Sequence, residues 1–278
     1  MKKKKKKNNQ ILILWGVFFT YVGVTIMCTF LYNTLRLPNI QGILGRDSFY
    51  ESFVEGMYSS IADFFVFTIV VSILFSKWEK NNALKRCIEE IDACRFWNSD
   101  QAAYRLRAMV STLQEDNIFT INLSKCYMGN IKLKKLQLVN SDMMGAIFSK
   151  SNFESSEFRE CNLKGSFLEK AIFRKSKFID CKLQFLKCKD GNMRSCFFER
   201  CDLKGSDFTN LDLRYTLMRN CNLEKVNFTD CNLERANLLG SYNISIEELI
   251  KSKSLKYIKI DETIKQDIEL RYPTVVLK

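Results

Sequence analysis

The chain has 278 residues, a net charge of +12, two prolines and no histidine. That length admits one sizeable domain with attachments. The absence of histidine excludes Ser-His-Asp and Cys-His catalysis and every His-ligated metal centre.

Positions 1–10 form a polybasic tail in which Lys2 to Lys7 are unbroken lysine. The run reads first as a topology signal and second as an attraction for anionic lipid, at about 1 kcal/mol per lysine near the surface. Residues 11–31 follow without a charge. As a helix they reach about 31 Å, the thickness of a hydrocarbon core. A cleaved signal peptide has a shorter apolar region ending in small residues, whereas this stretch closes on Ile26-Met27-Cys28-Thr29-Phe30. A second apolar segment spans 57–78, so 11–78 is expected to be a two-helix transmembrane hairpin. Six lysines precede it and Lys77, Lys80, Lys85 and Arg86 follow it, while the 32–56 loop sets Arg36 and Arg46 against Asp47, Glu51 and Glu55. The positive-inside rule then puts both ends in the cytoplasm, with a bacterial inner membrane as the expected location. Trp15 and Trp78 would mark the inner interface, Tyr32 and Tyr58 the outer one.

Asp63 lies in the second segment. A solvated interfacial role and a buried functional role both stand for it. Gly16, Thr20 and Gly23 share one face of the first segment and Thr68 and Ser72 one face of the second. Small residues let membrane helices approach, so these faces are expected to pack, within a chain or between chains.

Residues 79–120 read as helical. Leu84, Cys87, Ile88, Ile91 and Cys94 have helical spacing, as do Ala103, Leu106, Met109, Val110 and Leu113, with Ser99 as the N-cap of the second helix.

From 121 to 240 an apolar residue recurs every fifth position: Leu123, Met128, Leu133, Leu138, and so on to Leu233 and Leu238. A mostly small residue stands two places before each. A period of five fits neither a helix stripe nor strand alternation and marks a repeat architecture. The motif is plain in Cys161-Asn162-Leu163, Cys201-Asp202-Leu203, Cys221-Asn222-Leu223 and Ala236-Asn237-Leu238. It resembles the pentapeptide-repeat family over this whole stretch. The resemblance implies a mainly β fold, a right-handed quadrilateral β-helix with one pentad per side and twenty residues per coil. Six coils would make a rod about 29 Å long. Cys161, Cys181, Cys201 and Cys221 would then stack in one inward column. Leu186, large at a small site, is matched by Cys188, small at a central site, which keeps the core filled. An open β-helix end exposes core and unpaired backbone, so 79–120 is expected to cap the first coil and 241–278 the last. In that tail Ser245-Ile246-Glu247-Glu248 has the capping-box pattern, and Glu262–Arg271 forms a helix ending before Pro273.

Eight of the eleven cysteines lie inward in the repeat and none forms a C-x-x-C pair. They read as reduced apolar fillers, with no metal or cofactor, because stacked sulfurs are not a tetrahedral site. Outward, Arg174, Arg194 and Arg214 occupy equivalent places on successive coils, with Lys134 on the same side. The column either attracts an anionic partner or is neutralised by Glu154, Glu234 and Asp212. Ile147 with Phe167, and Phe197 with Leu217, are paired outward apolar residues suited to docking. Asp202, Asp207 and Asp212 fall on three different sides, which excludes a shared catalytic centre. The expected function is a membrane-anchored scaffold presenting a rigid β-helix to a cytoplasmic protein. The alternative is an effector that forms homo-oligomers and perturbs the bilayer. Some pentapeptide-repeat proteins protect a topoisomerase by resembling duplex DNA, but this repeat carries 21 Lys/Arg against 14 Asp/Glu. Mimicry of DNA, and nucleic acid as a partner, are therefore disfavoured.

Overall fold

The computed structural model describes residues 2–35 and 47–277, with side chains placed over 12–31 and from Ser52 onward apart from Val54. Arg36, Arg46 and the side chains of Lys2 to Lys7 and Tyr32 lie outside the described residues. The chain divides into two compact units, Met1–Ala83 and Leu84–Lys278.

The first unit holds helix α1 (Lys2–Leu35) and the first part of α2 (Asp47–Ala93). α1 begins among the lysines rather than at Ile11, because lysine propagates a helix nearly as well as leucine. α2 runs on through Glu79, where a boundary was expected, since no glycine or proline stands between Met57 and Ala93 to break it. Two stretches, Leu12–Leu31 and Glu55–Ala93, are long and apolar enough to cross a membrane. The helices meet through rings: Phe18 lies 6.1 Å from Phe64 and 5.5 Å from Phe65, and Trp15 lies 6.1 Å from Phe65. Thr25 and Thr68 are fully buried there, and each hydroxyl donates back to its own helix, to Tyr21 O and Phe64 O. Within the chain α1 meets α2 through another face than that of its small residues. Gly16, Thr20 and Gly23 are exposed, and nothing lies within 4 Å of where a Cβ on either glycine would stand. Large interlocking rings offer more dispersion contact than a glycine groove, so the helix turns its aromatic face to its neighbour. Thr68 belongs to the packed face, while Ser72 is half-buried with its Oγ unpartnered.

The second unit is a parallel β-solenoid with flanking helices. Every coil joins the next through four parallel ladders offset by twenty residues, starting at Asn122↔Asp142, Tyr127↔Ile147, Lys132↔Asn152 and Gln137↔Glu157. Only the fourth side is regular enough for strands. These are β1 (Gln137–Val139), β2 (Glu157–Arg159), β3 (Lys177–Ile179), β4 (Phe197–Glu199) and β5 (Leu217–Arg219), in register and in sequential order.

Each pentad position has its own physical reason. The central residues and the small residues before them are buried from Leu123 to Leu238, apart from half-buried Gly191. On the fourth side Phe158, Phe178 and Phe198 stack with centroids 4.9 Å apart and nearly coplanar rings. Inward serines reach backbone that the ladders leave unpaired: Ser151 Oγ accepts from Ile131 N at 3.0 Å and donates to Met128 O at 2.6 Å. Asparagine or aspartate beside the centre accepts from the amide two residues on, as Asn162 does from Lys164 N at 3.2 Å. The last residue of the pentad turns the corner in the left-handed region, for example Lys135 at φ 57° and Tyr215 at φ 60°. A β-branched residue is strained there, and none of these corner positions in 121–240 is Val, Ile or Thr.

Helix α3 (Asp100–Glu115) buries Ala103, Leu106, Met109, Val110 and Leu113 in the same core, with Ser99 accepting from Ala102 N at 3.2 Å. Arg95 ties this end to the first coil, donating to Ser124 O at 2.7 Å and pairing with Asp92 at 2.6 Å. At the far end the ladder does not stop at Gly240. Two further bridges, Asn232↔Ser254 and Asn237↔Lys259, carry it into a partial seventh coil at an offset of 22 rather than twenty. The extra residues are taken up around helix α4 (Ile246–Leu249), where Ser245 Oγ accepts from Glu248 N. Glu247, not Glu248, is the carboxylate that returns to Ser245. Helix α5 (Glu262–Arg271) follows and buries Ile268.

Candidate functional site

Cys161, Cys181 and Cys201 each donate an S–H to the carbonyl two residues back and to one in the preceding coil, the place serine takes elsewhere. All eleven cysteines are free. Burial pushes Cys126 up to about 11, and Cys196 and Cys231 up to about 12, so these thiols stay protonated and are neither nucleophiles nor ligands. Among the described residues no group of His, Cys, Asp or Glu is placed to hold a metal ion. Asp202, Asp207 and Asp212 stand in three separate ladders and do not converge. Asp63 is exposed and borders a shallow cleft with Tyr21, Ser60, Phe64 and Phe67.

The surface is where this molecule differs from side to side. Ile147 and Phe167 are ladder partners, as are Phe197 and Leu217, and all four are half-buried. The first pair is covered on one flank by the Lys187 ammonium, 4.5 Å from the Phe167 centroid.

The arginine column is not a row of equivalent charges. Glu154 sits between Lys134 and Arg174 and bonds both, at 2.6 Å and 2.5 Å. Hydrogen bonds from Lys134 and Arg174 hold its carboxyl down at about 2. Arg214 pairs with Asp212 at 2.8 Å. Burial pushes the Asp212 carboxyl up, but its bonds from Arg214 outweigh that and the net shift is downward. Arg194 forms no ion pair within 4.0 Å among the described residues, though its charge also acts on Asp212; its guanidinium lies 5.0 Å from the centroid of Tyr215. Arg235, one coil on, faces the same ring at 5.6 Å and Tyr257 at 5.3 Å. Sequence reasoning missed Tyr215, Arg235 and Tyr257. The signal was present, because 215 and 235 follow 195 at intervals of twenty, but only a residue's corner position makes it a neighbour of the column.

The Glu154 pairing can be tested directly. Its folded pKa lies below the usual carboxylate value, so its contribution is fully present above about pH 4.5 and is lost as pH falls through about 2. A carboxyl carbon titration is expected to place its midpoint near 2. Lys134→Ala should move that midpoint upward, and an unmoved midpoint would show that the pair does not form in solution.

With this geometry in place the solenoid can be compared with known proteins. A family model described as a pentapeptide repeat region matches residues 151–228, which lie wholly inside the solenoid. Over these residues the solenoid is similar to the pentapeptide-repeat family. Among solved structures, trypsin-treated QnrB1, a plasmid-mediated fluoroquinolone resistance protein, is similar at 15% identity and a TM-score of 0.41, over 57% of this chain and 83% of its own. A pentapeptide repeat protein from the Arabidopsis thaliana thylakoid lumen is similar at 17% identity and a TM-score of 0.23, over 41% of this chain and 68% of its own. HetL from Nostoc sp. strain PCC 7120, involved in heterocyst differentiation regulation, is similar at 14% identity and a TM-score of 0.19, over 54% and 96%. No curated protein matches the sequence.

Proposed function

We propose that this protein is a membrane-anchored scaffold that holds a rigid solenoid at the cytoplasmic surface for a protein partner. The observation that carries the reading is the coupling in one chain of two features. One is a solenoid whose inward cysteines are buried and free and whose charged groups are on its surface. The other is a pair of helices, Leu12–Leu31 and Glu55–Ala93, long and apolar enough to span a bilayer. The lysines at 2–7 and the cations after Trp78 support an orientation with both ends inside. Spanning helices would fix the solenoid near the bilayer, and a β-ladder scaffold presents its side chains with little conformational freedom to lose on binding.

Two measurements test this. The full chain is expected to stay in the pellet after alkaline carbonate treatment of membranes. A reporter fused after Lys278 is expected to read as cytoplasmic, while a cysteine introduced at Asn39 labels from outside. Carbonate extraction would remove the anchor from the reading; an external reporter would reverse the orientation and place the free thiols in an oxidising compartment.

A further inference from the structure

We propose that one edge of the solenoid, the corner formed by positions 134 and 135 and their twenty-residue repeats, rests on anionic lipid headgroups. The proposal builds on the membrane-anchored reading above. Charge on the repeat is unevenly placed. Within 121–240 this edge carries seven cations and two carboxylates, the two flanking edges carry three of each, and the diagonal edge carries four cations and one carboxylate. The ladders fix the coils about 4.8 Å apart, so these charges cannot disperse along the rod.

Within the edge, pairing selects the groups a partner would meet. Lys134 and Arg174 are engaged by Glu154, and Arg214 by Asp212. Lys135, Lys175, Arg194 and Arg235 are exposed and form no ion pair within 4.0 Å among the described residues, Arg194 acting on Asp212 only at longer range. Lys256 extends the row onto the seventh coil, its ammonium 5.2 Å from the Tyr257 centroid. These five cations follow a line about 29 Å long, six coil spacings of the ladder.

The shape and the aromatic groups favour lipid over other polyanions. A corner of a four-sided solenoid is convex and gives a polynucleotide or acidic peptide no groove walls, whereas a planar surface meets it along its length. Single-strand recognition uses free ring faces on which bases stack, but the Tyr215 ring already has guanidinium groups over it from Arg194 and Arg235. It stands instead between two like charges that lie two coils apart, one on each neighbouring coil. Anchoring in the same bilayer raises the local concentration of headgroups without any further contact, and tyrosine beside cations is the composition of a membrane interface.

The test uses the full chain in nanodiscs of phosphatidylcholine alone or with one quarter phosphatidylglycerol. Amine acylation is then read residue by residue by mass spectrometry. At low salt, Lys135, Lys175 and Lys256 are expected to label at least about threefold more slowly in the anionic discs, and to recover near 0.5 M salt, where the screening length is only about 4 Å. Lys150, Lys170 and Lys225, exposed on other edges, should hold their rates. Arg194→Glu with Arg235→Glu should abolish the slowing at Lys175 and Lys256 while the melting temperature stays near the parent's. Equal slowing on all edges, or none on this one, overturns the proposal. So does protection of the same lysines in neutral discs by oligouridylate or polyglutamate where anionic lipid gives none. A chain that stays embedded with an unprotected edge sinks only this inference; a chain that carbonate extracts sinks the anchor and the inference together.

Discussion

Phe178→Ala is expected to cost about 3–5 kcal/mol in the full chain, the largest single-residue loss in the solenoid. The ring is fully buried and stands between Phe158 and Phe198, each 4.9 Å away and nearly parallel. Truncation therefore removes two stacking contacts together with the buried area, and the cavity opens in the middle of the stack. Parallel ladders hold the flanking coils at fixed spacing, so the walls cannot collapse into the void as readily as a helix could shift. Because a solenoid is stabilised by nearest-neighbour interfaces, the loss should appear as earlier opening of the central coils as well as a lower melting temperature. Cys201→Ser is the matched control. Its thiol donates to Phe178 O and Glu199 O, which a hydroxyl does equally well, as Ser141 does with Phe119 O and Val139 O. The serine variant should melt close to the parent. If Phe178→Ala melts there too, the twenty-residue register is wrong.

The second large effect is expected at the far end. Leu255 and Ile260 take the inward places of Leu233 and Leu238 one coil earlier, and both are buried. Leu255→Ala and Ile260→Ala should each cost about 2–5 kcal/mol, and together they should release the seventh coil. Leu233 N donates to Ser254 O at 2.9 Å, and Leu238 N donates to Lys259 O at 2.8 Å. Hydrogen exchange at these two amides should accelerate in the double variant, while Leu213 N, bonded to Asn232 O one coil back, keeps its protection. Unchanged exchange at Leu233 and Leu238 would mean that the tail only covers the end and does not extend the ladder.

This end shows where reading the residues stopped short. The period of five breaks after Tyr242, where two extra residues are absorbed around α4, so the pattern falls out of phase and the tail reads as a cap. Leu255 and Ile260 are nevertheless five apart, a signal that survives the shift. The α1 face is a different case. Gly16, Thr20 and Gly23 permit close approach, but permission does not fix which face is used, and within the chain the contact is made by the aromatic area at Trp15, Phe18, Phe64 and Phe65.

By itself the sequence determined the solenoid, its register and its inward residues. The unbroken five-residue period marks the inward positions, and its resemblance to the pentapeptide-repeat family implies the twenty-residue coil and with it the cysteine column. It also determined the apolar length of the two N-terminal helices, since charge-free stretches and helical rise are local quantities. Only the tertiary structure decided which surface charges remain available. Lys134, Arg174, Arg194 and Arg214 are equivalent in the repeat, and what separates them is a carboxylate one coil away or beside them, at Glu154 and Asp212. Side chains that reach across a ladder or around a corner depend on geometry that the period does not contain. For that reason Arg194, with Tyr215 and Arg235, stands out only once the coils are stacked.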